Sequence, residues 1–276
     1  MTINCNGKII DLTIPKVMGV LNLTPDSFYD GGKYSSQKEI LLYTEQMLIE
    51  GASFIDIGAY SSRPGAIHIS EDEELERLLP NLELIVREFP EILISIDTFR
   101  SKVADRCISA GACMINDISG GNLDENMFHT IATLQVPYIV MHMPGRPQTM
   151  QKSIKYEDLI NDIFYFFSEK ISQLKILGVN DIILDVGFGF GKTLDHNYEL
   201  LQKLNLFKRL ELPILTGVSR KSMLYNYLKI TASESLNATT TANTLAILQG
   251  TNILRVHDVK EAVEVVKIIQ KTKEFK

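Results

Sequence analysis

The chain is short of the features that mark several protein classes. It has only three cysteines, Cys5, Cys107 and Cys113, with no CxxC pair and one thiol left over. That argues against a disulfide framework or a zinc site, and the expected compartment is a reducing cytoplasm. Basic residues are also scarce, with 28 Lys and Arg against 34 Asp and Glu and a formal charge of −6. The clustered cations that displace counterions from nucleic acid are missing, so no nucleic-acid partner is expected. A small anionic substrate held in a locally positive pocket stays open. No apolar run reaches the roughly 18 residues of a membrane span. The opening MTINCNGKIIDLTIP carries no basic stretch leading into an apolar one, so neither a membrane partner nor a secretory signal is expected. No linker, low-complexity tract or charge block divides the sequence, and a single domain over residues 1–276 is expected.

What is present is a repeated alternation of strand and helix. Short β-rich runs occur at 17–23, 53–59, 92–98, 113–119, 138–143, 182–187, 213–219 and 252–258. Each is mostly continuous apolar residues, as in strands covered on both faces. Helical patterns lie between them at 36–50, 71–88, 101–109, 156–176, 196–206, 233–249 and 259–271, with a shorter one running from 122–125 to Leu134. Residues 3–14 read as a hairpin turning at Asn6-Gly7 and capping the barrel bottom. Eight βα units without a break predict an α/β fold, a (β/α)8 TIM barrel with an N-terminal β-hairpin. The length of 276 residues suits a fold that needs about 250.

Polar residues recur where these runs end: Asn22, Asp97-Thr98, Asn116-Asp117, His142, Asp185 and Arg255-Val256-His257. In a parallel barrel such ends meet at one rim, and burying so many polar groups without a ligand is costly. Asp56, earlier in its run, is set aside as structural. Two glycine-hinged loops, 22–32 and 58–65, have the make-up of a lid. Asn22, Arg63, Arg255 and His257 are candidates for a cationic phosphate pocket, with Asn22 the candidate oxygen ligand for Mg²⁺ carried by a pyrophosphate. The stretch Gly217-Val-Ser-Arg-Lys-Ser-Met offers backbone N–H groups and the Lys221 charge. Gly187-Phe-Gly-Phe-Gly is similar to a phosphate-cradling loop but lacks the downstream acid of a dinucleotide site.

Together the stretches MGVLNLTPDSFYDGG (18–32), DIGAYSSRPGA (56–66), SIDTFR (95–100), GACMINDISGG (111–121), MHMPGRPQTMQ (141–151), ILDVGFGFGK (183–192), GVSRKSML (217–224) and LRVHDV (254–259) resemble the dihydropteroate synthase family, from about Val17 to Val266. The resemblance implies condensation of 6-hydroxymethyl-7,8-dihydropterin pyrophosphate with 4-aminobenzoate by a dissociative route, with Mg²⁺, in a cytoplasmic homodimer targeted by sulfonamides. It places the pterin on Asp97, Asn116, Met141, Asp185, Phe190, Lys221 and Arg255. It places pyrophosphate on Asn22, Ser62, Arg63, Arg255 and His257, and 4-aminobenzoate on Phe28, Pro64, Phe190, Lys221 and Ser222. Asp30, Lys221, Arg255 and His257 are the implied catalytic set. Many members have Glu-Ser-Thr before Arg-Pro-Gly, whereas this chain has Tyr60-Ser61-Ser62, which removes a charge at the rim.

Other readings compete. A pterin-binding methyltransferase barrel shares the Asp and Asn contacts but has no use for NxTPDSF or a pyrophosphate site. An aldolase-type barrel would use Lys221 as a Schiff-base nucleophile. A non-catalytic protein retaining the fold would have no need of the complete strand-end set.

Overall fold

In the computed structural model the described residues are 1–23, 37–61, 68–147, 149–151 and 154–275. The chain opens with β1 (Thr2–Cys5) and β2 (Lys8–Asp11), paired antiparallel with Cys5 opposite Lys8. Asn6 and Gly7 make the connection with φ of 52° and 85°. Two positive φ values in a two-residue loop give the tight turn whose twist matches the flanking strands.

Eight further strands follow: β3 (Lys16–Asn22), β4 (Phe54–Gly58), β5 (Ile94–Asp97), β6 (Met114–Asp117), β7 (Tyr138–Met141), β8 (Ile182–Asp185), β9 (Ile214–Thr216) and β10 (Ile253–Val256). They close into a parallel barrel in chain order, with β10 returning to β3. Helices α1 (Gln37–Ile49), α2 (Glu71–Glu88), α3 (Ser101–Ser109), α4 (Met127–Leu134), α5 (Leu159–Ile176), α6 (Leu194–Lys203), α7 (Ser222–Leu228), α8 (Leu236–Leu248) and α9 (Val259–Lys273) intervene. Their starts are chemically marked. Ser70 caps α2 through Glu73 N–H, and Asp158 caps α5 through Ile160 and Asn161 N–H. Each cap satisfies helix donors that have no partner inside the helix. Among the described residues no helix is long and apolar enough to cross a membrane.

The expected barrel and hairpin are both present, with local differences. The strand runs were read up to three residues too long at the rim, because residues such as Thr98 and Ser119 already belong to the loops. The helix expected from 156 starts at Leu159, where Asp158 caps it, and the one expected at 196–206 is α6 followed by a 3₁₀ turn, Leu204–Leu210. The short helix α7 is a separate element that the sequence reading folded into the loop before α8.

Strand periodicity then explains the interior. Successive side chains point to opposite faces of a strand. Val17, Leu21, Ile55, Ile57, Ile94, Ile96, Ile115, Tyr138, Val140, Ile182, Leu184, Ile214, Leu254 and Val256 belong to the large core between barrel and helices. The alternate residues face inward. At the bottom they are apolar: Met18, Phe54, Met114, Ile139, Ile183, Leu215 and Ile253 pack with Ile3, Cys5 and Leu12 of the hairpin segment, which caps this end. One pleat higher, the same inward phase carries Asp56, Ser95, Asp97, Asn116, Met141, Asp185 and Arg255. A barrel interior closed below by oily side chains carries its charged layer towards the C-terminal rim, where a site in this fold is built.

Candidate active site

Arg255 is the hub of that upper layer. Its Nε donates to Asp56 Oδ2 at 2.6 Å and its Nη2 to Asp97 Oδ2 at 2.9 Å. Asn116 Nδ2 donates to the same Asp56 oxygen at 2.9 Å. Across the barrel, Asp185 Oδ1 accepts the Gly187 N–H at 2.8 Å. Lys221 reaches over from the β9–α7 connection, donating to the Phe188 carbonyl with its ammonium 4.8 Å from the Phe190 ring centroid. Met141 and Phe190 join Phe99, Ile118, Met143 and Met150 in an apolar cluster at the same end of the barrel. The site thus has an acidic, hydrogen-bonding floor and a flat apolar flank.

The electrostatics follow from burial and from these pairings. Burial pushes Asp97 up to about 7, Arg255 pulling against it and Asp56 adding to it. Asp185 is also raised by burial, with Lys221 opposing. Burial lowers Lys221 to about 8 against the pull of Asp185. Burial disfavours the Arg255 charge as well, yet the facing Asp56 and Asp97 carboxylates hold it above its ordinary value. Three carboxylates, Asp56, Asp97 and Asp185, therefore face Arg255 and Lys221, with Lys192 also acting on Asp185. Such a floor is rich in acceptors, which suits a ligand that brings N–H donors or develops a cation.

Of the other sequence candidates, Asn22, His257 and Ser222 are among the described residues. Asn22 lies at the end of β3, and the pairings Asn22–Gly58, Gly58–Asp97 and Asp97–Asn116 put it level with the floor. Gly58 leaves room there, since a Cβ at that position would stand 3.1 Å from the Asp97 Cβ. His257 follows β10 and is exposed, with Nδ1 3.1 Å from Ser219 Oγ. Ser222 is exposed at the start of α7. Phe28, Asp30, Ser62, Arg63 and Pro64 lie outside the described residues. Among the described residues no three His, Cys, Asp or Glu side chains are grouped to hold a metal. A single hard oxygen from Asn22 fits Mg²⁺ that is shared with substrate phosphates, the usual arrangement for that ion.

Three sequence readings need correction. Asp117, the last residue of β6, and Thr98 and His142, which follow β5 and β7, are not part of the floor. Thr98 Oγ1 donates to Glu74 of α2 at 2.7 Å, while Asp117 accepts from Tyr138 Oη at 2.6 Å and from the Ser119 and Gly121 N–H groups. His142 is held by Lys192 Nζ at 3.0 Å, and burial, reinforced by that lysine, depresses its pKa to about 2. Secondly, the Gly187–Gly191 loop is not a phosphate cradle. The Gly187 and Gly189 N–H groups are taken by Asp185 and Asn197. The carbonyls of Phe188, Gly189, Phe190 and Gly191 receive Lys221, Gln151, Lys192 and Tyr156. Glycine is required for packing instead: at φ 69°, a Cβ on Gly187 would run into the His142 carbonyl. Gly187→Ala should lower stability by at least about 1 kcal/mol, through strain at positive φ and overpacking, and lower the melting temperature by several degrees. An unchanged melting curve would contradict this packing role.

Thirdly, Asp56, set aside as structural, ties Arg255 and Asn116 together from below. Its signal was a carboxylate in the middle of Phe-Ile-Asp-Ile-Gly, since a buried charge in an apolar strand demands a partner. Tyr60, which departs from the usual Glu, packs edge-on against Phe99 with centroids 4.9 Å apart, and its hydroxyl lies 3.1 Å from His68 Nδ1. Arg100 stands over both rings, 5.6 Å from Tyr60 and 5.2 Å from Phe99, so an aromatic wedge occupies this part of the rim.

Comparisons with known proteins bear on what this site is for. Residues 18–257 match the family described as pterin binding enzyme. The chain is 40% identical over 274 residues to dihydropteroate synthase of Escherichia coli K12, covering 99% of this chain and 96% of that one. It is 42% identical over 255 residues to dihydropteroate synthase of Synechocystis, covering 91% and 88% of the two chains. Among solved structures, dihydropteroate synthase of Yersinia pestis in complex with a sulfonamide drug superimposes with a TM-score of 0.95 at 41% identity, covering 99% of this chain and 100% of that one. The chain belongs to the dihydropteroate synthase family of pterin-binding enzymes.

Proposed function

We propose that this chain condenses 6-hydroxymethyl-7,8-dihydropterin pyrophosphate with 4-aminobenzoate, giving 7,8-dihydropteroate and pyrophosphate. The observation that carries the reading to the site is the Arg255-centred floor of Asp97, Asn116 and Asp185. The aminopyrimidine edge of a pterin offers several N–H donors, and this floor is built of acceptors. Met141 and Phe190 give its flat ring an apolar flank, and Lys221 donates from the Phe190 side.

The reaction breaks the C–O bond between the pterin methylene and pyrophosphate, and the electron pair leaves with pyrophosphate. The 4-aminobenzoate nitrogen then forms the new C–N bond and loses a proton. In the dissociative order the first event leaves positive charge spread over the dihydropterin. The carboxylates of Asp56, Asp97 and Asp185 in the floor stabilise that charge without a covalent intermediate. Lys221, lowered to about 8 yet placed near Asp185, acts as a hydrogen-bonding group rather than a Schiff-base nucleophile. Asn22 and His257 are assigned to pyrophosphate, and bound Mg²⁺ supplies charge neutralisation to the leaving group with Asn22 as an oxygen ligand. Ser222, with Phe190, is assigned to the 4-aminobenzoate side, which is also where a sulfonamide would compete. A homodimer is read onto the C-terminal helices, where Leu245, Leu248 and Ile268 are exposed. Light scattering should give twice the chain mass, and a monomer at micromolar concentration would contradict that reading.

The assay that tests the function is direct. Purified chain with both substrates and Mg²⁺ should release one pyrophosphate for each dihydropteroate formed. No dihydropteroate would overturn the assignment.

Asp97 adds a pH signature. Its carboxyl is raised from 3.8 to about 7, so the free protein holds it increasingly protonated below neutrality. A pterin that donates to the carboxylate must expel that proton, so affinity should rise with pH up to about 7 and level off above it. The stability sign is opposite. A carboxyl raised in the folded state contributes stability that is fully present below its unfolded value, and this is lost as pH rises through about 7. Asp97→Asn should abolish both slopes. Calorimetry in buffers of different ionisation enthalpy reads the proton directly, and binding at pH 6 without proton release would remove the carboxylate from the contact.

A further inference from the structure

The chemistry of Asp56 reaches beyond holding Arg255. The residue lies inside the barrel with no solvent exposure. Its Oδ2 takes both the Asn116 Nδ2 and the Arg255 Nε, while its buried Oδ1 has no hydrogen-bond partner among the described residues. A carboxylate left with one orphaned oxygen is an expensive way to fill space. What it does achieve is directional. The amide of an asparagine has a donor end and an acceptor end, and which way it points is set by its neighbours. Asp56 Oδ2 already faces the Arg255 Nε–H and can only accept there, so Nδ2 of Asn116 must turn towards it and Oδ1 must turn away. The same oxygen fixes the Nε edge of the Arg255 guanidinium, whose Nη2 then meets Asp97.

We propose that Asp56 is a positioning residue that sets the hydrogen-bond polarity of the floor: it locks Asn116 as an acceptor and selects a heterocycle presenting N–H donors over one presenting ring acceptors. This rests on the reading that Asn116 meets the pterin. Asp56 itself is separated from the ligand by the two side chains it orients, so it acts through them.

Substitution at position 56 tests the lock. Asp56→Ala removes the acceptor, so the Asn116 amide is free to turn. A misdirected hydrogen bond at a buried contact weakens binding by about 10- to 100-fold. The expected result is that loss in pterin affinity by calorimetry, with the KM for 4-aminobenzoate unchanged. Asp56→Asn should instead keep the lock. The Arg255 Nε–H admits only an oxygen at the place of Oδ2, and that oxygen still accepts from Asn116 Nδ2. This variant should bind pterin within a few-fold of the parent. Asn116→Ala serves as the reference and should also lose pterin affinity. If Asn116→Ala loses affinity while Asp56→Ala keeps it, the lock is overturned. An Asp56→Asn variant that melts with the parent but loses about 10-fold or more in pterin affinity overturns it equally, and does so even if Asp56→Ala fails to fold. Unchanged binding in Asn116→Ala would overturn the pterin contact itself and the proposal with it, a different and recognisable failure.

Discussion

Arg255→Ala should eliminate turnover and remove a large part of the protein's stability. The side chain is 22% exposed and pairs with Asp56 at 0% and Asp97 at 21%, so the two carboxylates it serves are largely shut off from solvent. Deleting one partner of such a group leaves uncompensated buried charge, which costs about 3–5 kcal/mol where burial is complete. Partial exposure of Arg255 and Asp97 places this case towards the lower end, equivalent to a fall of about 10 °C in melting temperature. The deficit should shrink in acid. Without the guanidinium, Asp97 would be raised further than its present value of about 7, so the penalty operates at neutral pH and fades as Asp97 is protonated. Arg255→Lys should recover some stability but little activity, because an ammonium replaces the charge and not the fork that meets two carboxylates. Thermal melts at pH 5 and pH 7.5 together with the product assay check all three points. A variant that melts with the parent at both pH values would mean that Arg255 does not hold the floor together.

Asp185→Asn carries the second large effect. Asp185 is 6% exposed and its negative charge supports Lys221, Arg255 and Lys192 at once. The asparagine can keep the Gly187 hydrogen bond, so the loop should stay in place and the fold should survive. What disappears is charge. Lys221 and Lys192, already lowered by burial to about 8 and about 7, would be lowered further without their counter-ion. A charged acceptor to a ligand N–H is worth about 1.5–3 kcal/mol, so pterin affinity should weaken by about 10- to 100-fold. Turnover should fall further, because the developing cation loses a stabilising carboxylate. Equal losses in binding and turnover would restrict Asp185 to ground-state recognition.

Much of this was legible in the sequence, and the gaps have physical causes. Eight apolar runs separated by helical patterns identified the barrel, because parallel strands under helices are buried on both faces. The same continuity hid the two-residue period that decides which strand-end groups face inward. Asp97 and Thr98 are neighbours in sequence, yet one meets Arg255 and the other meets Glu74 of α2. Asn116 and Asp117 divide in the same way. Asp56 was passed over because it is mid-strand, although its inward phase is shared with Phe54 below it. The glycines at 187, 189 and 191 looked like an anion loop, but composition does not reveal where N–H groups go, and here Asp185 and Asn197 take two of them. The helix α7 was missed because seven residues carry too little periodicity to stand out.

The most direct test of the site is a crystal structure of this chain with 6-hydroxymethyl-7,8-dihydropterin pyrophosphate and Mg²⁺. The aminopyrimidine edge should lie within hydrogen-bonding distance of Asp97, Asn116 Oδ1 and Asp185, with the ring against Met141 and Phe190 and the pyrophosphate towards Asn22 and His257. A pterin ring seated instead on the outer rim over Tyr60 and Phe99, with the Arg255 floor untouched, would contradict it.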